Sequence, residues 1–224
     1  MRLNKYIAQS TNLSRRAADD AIYRNRVLVN GRPPSPGQQI TETDVVTLDD
    51  VAITPAVNTT TIIFNKPVGY VCSREGQGNR TVYDLLPIEL HGLKPVGRLD
   101  KDSSGLLVMT TDGDLAQRLT HPSYQKTKVY EVRLQKPLQP LHRQMISDHG
   151  IQLEDGRSQL ELERIDDGDD STWRVRMHEG RNRQIRRTFD ALGYDVIGLH
   201  RIEFGDYRLD DLASGEHQLC NEDK

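Results

Sequence analysis

The clearest pattern along the chain is an unbroken apolar run, Leu106-Leu107-Val108-Met109, that follows Ser103-Ser104-Gly105 and closes on the turn pair Asp112-Gly113. Its length and flanking turn residues predict a short buried strand, although a bare apolar run of this size also fits a helix. Toward the N-terminus the period changes. Leu3, Ile7 and Ala8 fall on one helical face, with Arg2, Asn4 and Lys5 turned away. Ser14 is suited to cap a second helix, Arg15 to Arg24, that carries Ala17, Ala18, Ala21 and Ile22 inward. Val27-Leu28-Val29 predicts a short strand and Asn30-Gly31 a hairpin turn.

Residues Asp49 to Thr60 are polar, contain Pro55 and lack helical periodicity, so they read as a linker with a domain boundary near residue 58. Beyond it, Ile62-Ile63-Phe64 is a strand, interrupted by Pro67 and Gly69 before Tyr70-Val71-Cys72. Arg74 to Arg80 is Gly-rich and charged, which predicts a mobile loop, and Val82 to Leu86 a helical turn ended by Pro87. Asp114 to Leu119 predicts a helix and Gln125 to Leu134 a half-buried strand with imperfect alternation. Leu138, Leu141 and Met145 have helical spacing, and strands follow as far as Met177. Asp166 to Asp170 reads as an acidic hairpin loop, away from any anionic substrate and without the loop pattern of a calcium site. A last helix carries Ile185, Phe189 and Leu192 to Gly193, with Asn182 as its cap. The mixture is α+β, in a small domain (1–50), a linker (51–60) and a larger domain (61–224).

Composition narrows the class. The 224 residues are 35% hydrophobic and 28% charged, enough for a buried core. No apolar run approaches the roughly 20 residues that span a bilayer, and MRLNKYIAQS lacks the apolar segment of a secretory signal. Two cysteines, Cys72 and Cys220, give neither a disulfide framework nor a metal spacing, so the expectation is a cytoplasmic protein without metal or cofactor. No long apolar or heptad stripe advertises a partner subunit, so a monomer is expected.

A net charge of −3 argues against indiscriminate coating of nucleic acid, but the positive charges are clustered. Residues 1–32 hold Arg2, Lys5, Arg15, Arg16, Arg24, Arg26 and Arg32 against Asp19 and Asp20. Residues 174–187 hold six arginines against Glu179. Arginines at a helix start oppose its dipole, and a bound phosphate would resolve the conflict. A solvated face is the plainer reading of the first cluster, whereas in the second the local acids are too few for a salt-bridged surface helix.

The motifs add chemistry. Gly97-Arg98-Leu99-Asp100 sets a carboxylate just ahead of the Ser-Ser-Gly turn, with a guanidinium two residues away. On spacing alone Asp100 reads as a turn carboxylate. However, GRLDKDSSGLLVMTTDG resembles the signature loop of the pseudouridine synthases, and more narrowly of the bacterial family that modifies ribosomal RNA, with Ser104 where Thr is usual. The Lys66–Ser73 run KPVGYVCS, the Lys128–Tyr130 pattern K-x-Y, GRNRQIRR and GLHRIEFG resemble the remaining motifs in order. RLNKYIAQSTNLSRRAADDAIYRNRVLVNG resembles an S4-type RNA-binding domain.

The resemblance implies a small α/β S4-type domain joined to a catalytic domain built on a mixed, mainly antiparallel sheet flanked by helices. It implies Asp100 as the essential carboxylate, Tyr130 as the active-site tyrosine, Arg186 as the basic partner of Asp100, and Leu199 as the aliphatic residue packed on the tyrosine. Arg98, Arg181, Arg183, Arg187, Lys66 and Lys128, with Arg2, Lys5, Arg15 and Arg16, are then expected to contact RNA. The implied reaction detaches uracil from C1′, rotates it and rejoins it through C5. That needs no hydride, phosphoryl group or external nucleophile, and the chain shows no P-loop, dinucleotide fingerprint or nucleophilic triad. Two rivals are a non-catalytic S4-type ribosome-assembly factor, and a hydrolase pairing Asp100 with Asp102.

Overall fold

In a computed structural model the described residues are 1–11, 13–55 and 59–220, and they divide into two compact units. One comprises Met1–Thr59 with Thr111–Gly113, the other Thr60–Thr110 with Asp114–Lys224. The boundary expected near residue 58 lies outside the described residues.

The first unit is two helices, α1 (Leu3–Ser10) and α2 (Arg15–Tyr23), on a three-stranded antiparallel sheet. Ser14 caps α2 by accepting from the Ala17 N–H at 3.1 Å. Leu3, Ile7, Ala18 and Ala21 bury against Val27, Val29, Ile40 and Val46. The strands are β1 (Val27–Val29), β2 (Val46–Leu48) and β3 (Val51–Ile53). β3 lies in the stretch expected to be linker, because a two-residue turn joins it to β2: Leu48 pairs with Val51, and Asp49 and Asp50 both have positive φ (50° and 64°). That is the twist-matched hairpin turn usually carried by Asn-Gly, and the Tyr6 hydroxyl ties β3 down at the Ile53 carbonyl.

The second unit is a mixed nine-stranded sheet. Its strands are β4 (Thr61–Lys66), β5 (Lys94–Pro95), β6 (Ser104–Thr110), β7 (Lys128–Leu134), β10 (Glu161–Arg164), β11 (Thr172–Met177), β12 (Val196–Phe204), β13 (Tyr207–Arg208) and β14 (His217–Leu219), with β8 (Ile151–Leu153) and β9 (Gly156–Ser158) a separate hairpin. The path runs β10-β11-β7-β12-β6-β4-β14, and every pair is antiparallel except β12–β6. Helices α3 (Gly113–Thr120), α4 (Pro140–Gln144) and α5 (Gln184–Asp190) complete it.

The apolar run is β6. Its four central residues are consecutively apolar because both faces are covered: Leu107 and Met109 join the main core with Phe64, Val132 and Trp173, while Leu106 and Val108 pack with Val96, Leu119 and Phe204. At the parallel junction Gly105 sits at φ +100°, and a Cβ there would lie 2.2 Å from the Arg201 carbonyl oxygen. Only glycine lets the two strands approach at this point.

Two expectations change. Tyr70 to Cys72 is not a strand, Val71 making only a bridge to Thr81. The loop after it is fastened: Arg74 donates to the His91 carbonyl at 2.6 Å and lies over the Tyr83 ring, and Lys101 donates to Asn79 at 2.7 Å.

Candidate active site

Asp100 lies in the loop that feeds β6, and a buried lysine shapes that loop. Lys66, at the end of β4, is 0% exposed. Its ammonium donates to three main-chain carbonyls, those of Pro67 (3.0 Å), Asp100 (3.1 Å) and Ser103 (2.6 Å). Burial pushes the ammonium below its ordinary pKa, yet three acceptors hold the charge in place. The Leu99 N–H donates to the Cys72 thiol, and Ser103 N–H to the Asp100 carbonyl, closing the turn. Lys66, expected at the RNA surface, is instead turned inward with its ammonium on main-chain carbonyls. It fixes the backbone that carries Asp100.

With its main chain pinned, Asp100 extends a carboxylate that is 35% exposed into a cleft of about 980 Å³. Arg98, Lys128, Tyr130, Arg183 and Leu199 line the same cleft. Tyr130 on β7 and Leu199 on β12 are each 8% exposed and belong to the main core, so the cleft has a rigid apolar wall. Arg98 is exposed at its side.

The guanidinium that meets Asp100 is that of Arg183, whose Nη1 donates to Oδ2 at 3.3 Å. Arg183 also forms a two-pronged pair with Asp102, both bonds 3.0 Å, which holds the Asp102 carboxyl below its usual range. Arg186, expected to pair with Asp100, instead donates to the main-chain oxygens of Val196 (2.6 Å) and Asp102 (2.9 Å), with its Nε 3.3 Å from the Asp102 carboxylate. The reason is local geometry. Arg183 precedes α5 in the left-handed conformation (φ 46°, ψ 31°), which sends its side chain to the loop, while Arg186 lies one turn on. Arg183, not Asn182, occupies the cap position.

The other arginines are also paired. Asp155, in the β8–β9 turn, accepts two bonds from Arg187 (3.0 and 2.8 Å) and one from Arg181 (3.0 Å). Their pairing holds the Asp155 carboxyl low, the Arg187 bond contributing most. The acids that seemed too few near residues 174–187 come from distant segments. Lys128 donates to the Glu179 carbonyl at 3.1 Å and stays in the cleft.

In the first unit Arg2, Arg15 and Arg16 are exposed and Lys5 half-buried. Residues missed in the sequence include Cys72 and Arg201, both lining the cleft. Arg201 was readable in principle, since strand alternation sets it on the face of Leu199.

A basic S4-like unit in the same chain as a sheet whose cleft holds one arginine-bound aspartate and a tyrosine points to an RNA-acting enzyme of the uridine-isomerising class. The comparisons agree. The RNA pseudouridylate synthase family model matches residues 60–191 and the S4 domain model residues 1–46. The ribosomal small subunit pseudouridine synthase A of Pasteurella multocida (strain Pm70) is 35% identical over 221 residues, 97% of this chain and 95% of that protein. The ribosomal large subunit pseudouridine synthase B of Xanthomonas axonopodis pv. citri (strain 306) is 36% identical over 239 residues, 100% of this chain but 43% of that longer protein. A solved pseudouridylate synthase superposes with a TM-score of 0.70 at 34% identity, covering 98% of this chain and 96% of its own. The chain belongs to the RNA pseudouridylate synthase family, and it is an isomerase.

Proposed function

We propose that this chain converts a single uridine of ribosomal RNA to pseudouridine with Asp100 as the essential carboxylate, acting as a cytoplasmic monomer. The observation that carries the reading is the placement of Asp100: a carboxylate on a pinned loop, opening into a cleft walled by Tyr130 and Leu199 and oriented by Arg183. The ribosomal substrate is supported by the names of the relatives, and the cytoplasm by their substrate together with the lack, among the described residues, of a helix able to cross a membrane.

The target base must be extruded into the cleft, at a cost of a few kcal/mol. Arg98, exposed beside Asp100, fills the vacated place in the stack, its flat cation suiting that role. Tyr130 stacks on the flipped ring, worth about 1–3 kcal/mol, and Leu199 keeps the tyrosine in place. Asp100 then meets the sugar as the glycosidic bond breaks. Arg183 orients the carboxylate and offsets its desolvation once the base covers it. Arg186 supports the loop from the Asp102 side. Arg2, Lys5, Arg15 and Arg16 lie along RNA phosphates, which position the enzyme without reading sequence. Arg181 and Arg187 reach phosphate only by sharing or releasing Asp155.

The hydrolase rival needs Asp102 as a proton donor, yet Arg183 and Arg186 hold it ionised. The assembly-factor rival loses ground because the family membership extends through the whole catalytic unit. The test is tritium release from C5-labelled uridine in unmodified small- and large-subunit transcripts, offered separately. Release from one transcript supports the reading and names the subunit. RNA that binds without release, in both transcripts and in assembled particles, rejects it.

A further inference from the structure

Arg201 has no part in the reaction described so far. It follows Leu199 by two residues on β12 and pairs across the sheet with Tyr130, while Phe204 pairs with Lys128, so these side chains share the cleft face. Arg201 is 2% exposed. Its Nε donates to the Leu106 carbonyl at 2.8 Å, and its guanidinium carbon lies 4.8 Å from the centre of the Phe204 ring. Its Nη2 is buried and has no hydrogen-bond partner. The Lys128 ammonium lies 5.3 Å from the centre of the same ring. Neither cation has a carboxylate partner among the described residues, and Asp100 is already held by Arg183. Burial, and then the charge of Arg201, push Lys128 below its ordinary pKa. A buried cation left without a counter-charge is strongly unfavourable. The arrangement is therefore matched to negative charge that arrives with a ligand.

We propose that Arg201, together with Lys128, is the anion-holding wall of the base pocket: Arg201 binds a carbonyl oxygen of the flipped uracil and stabilises the charge the ring carries while it is detached from ribose. This rests on the isomerase reading above. When C1′–N1 breaks, its electron pair stays on the base, whose charge spreads from N1 to O2 and O4. The Asp100 carboxylate balances the sugar, either by bonding to C1′ or by taking the C2′ proton. After rotation, electrons from the ring form C5–C1′, Asp100 is released or returns its proton, C5 loses its hydrogen as a proton and N1 takes one up. No oxidant, metal or co-reactant is required. Fixed donors aimed at charge that develops only during the reaction raise kcat rather than affinity.

The test compares wild type, Arg201→Met and Lys128→Met in single-turnover reactions on one target RNA, carrying either uridine or 5-fluorouridine at the site. Rearranged nucleoside is quantified after digestion, and folding is checked by thermal melting. Fluorine makes the uracil a better leaving anion, so less help from the wall is needed. Arg201→Met is expected to lose about 10²–10³-fold in rate on uridine, to bind RNA within threefold of wild type, and to lose at least fivefold less on 5-fluorouridine. Lys128→Met, at the more accessible cation, follows the same pattern more weakly and decides the matter if Arg201→Met does not fold. Wild-type rates, or equal losses on both substrates, overturn the proposal by showing no role or a purely structural one. An inert wild type removes the isomerase reading and this inference together.

Discussion

Residues 1–32 hold seven basic side chains against two acids and residues 174–187 six against one, yet the two clusters are built differently. In the N-terminal unit Arg2, Arg16 and Arg32 are exposed and meet no carboxylate among the described residues, while Arg24 and Arg26 make surface pairs with Asp20 and Asp49. In the catalytic unit Arg181, Arg183, Arg186 and Arg187 are each held by Asp100, Asp102 or Asp155. A solvated cluster acts through its field and is screened by salt. A paired cluster acts through geometry. The same composition is therefore left open to solvent in one unit and fixed by carboxylates in the other.

The strongest way to break the geometric side is Lys66→Met. Three carbonyls lose a charged donor, partly offset by removal of a buried ammonium, for a net loss of about 3 kcal/mol. That corresponds to a melting temperature lower by about 6–12 °C, and the melt checks it. Turnover should fall with it, because the Asp100 loop loosens.

Next comes the choice between two arginines. Arg183→Ala should lower kcat by about 10–100-fold, as expected when a group that orients a reacting carboxylate is removed, with RNA affinity changed far less. Arg186→Ala should cost more stability and less turnover, since it binds main-chain oxygens. The reverse order in steady-state kinetics and melting would restore Arg186 as the partner of Asp100.

On the solvated side, Arg15→Ala with Arg16→Ala should reduce the slope of log K against log salt by about 1.5–2, two phosphate contacts' worth. The rate at saturating RNA should stay within twofold. Titrations at several salt concentrations read the first and single-turnover kinetics the second.

The smallest effect is a pH dependence. Burial holds His200, whose Nδ1 is 2.8 Å from the Ser104 hydroxyl, below its ordinary pKa of 6.5. Between that depressed native value and 6.5 the unfolded chain binds a proton that the folded chain does not. Stability is therefore lost as pH falls through that window and is unaffected above it. Melting at pH 7.5 and 5.5 should show a smaller acid loss in His200→Asn than in wild type.

Much of this was legible because it is local. β6 declared itself by an apolar run between turns, α1 and α2 by their period, and Asp100, Tyr130 and Leu199 by short contiguous motifs. What was hidden depends on partners far along the chain. Lys66 reads as an RNA contact until the Asp100 loop wraps its ammonium. The arginines of GRNRQIRR look short of acids because Asp100, Asp102 and Asp155 come from elsewhere. Which arginine reaches Asp100 turns on a left-handed residue at 183, invisible in a motif written Q-I-R. β3 was hidden by its exposure and by an Asp-Asp turn where Asn-Gly is usual.

The most direct measurement is single-turnover tritium release at saturating RNA by Asp100→Asn and Asp102→Asn side by side. Both carboxylates bind Arg183, and only one lines the cleft. Asp100→Asn is expected to release no tritium with RNA binding preserved, and Asp102→Asn to retain a reduced but measurable rate. Release by Asp100→Asn near the wild-type rate, or its loss in Asp102→Asn alone, would contradict Asp100 as the essential carboxylate.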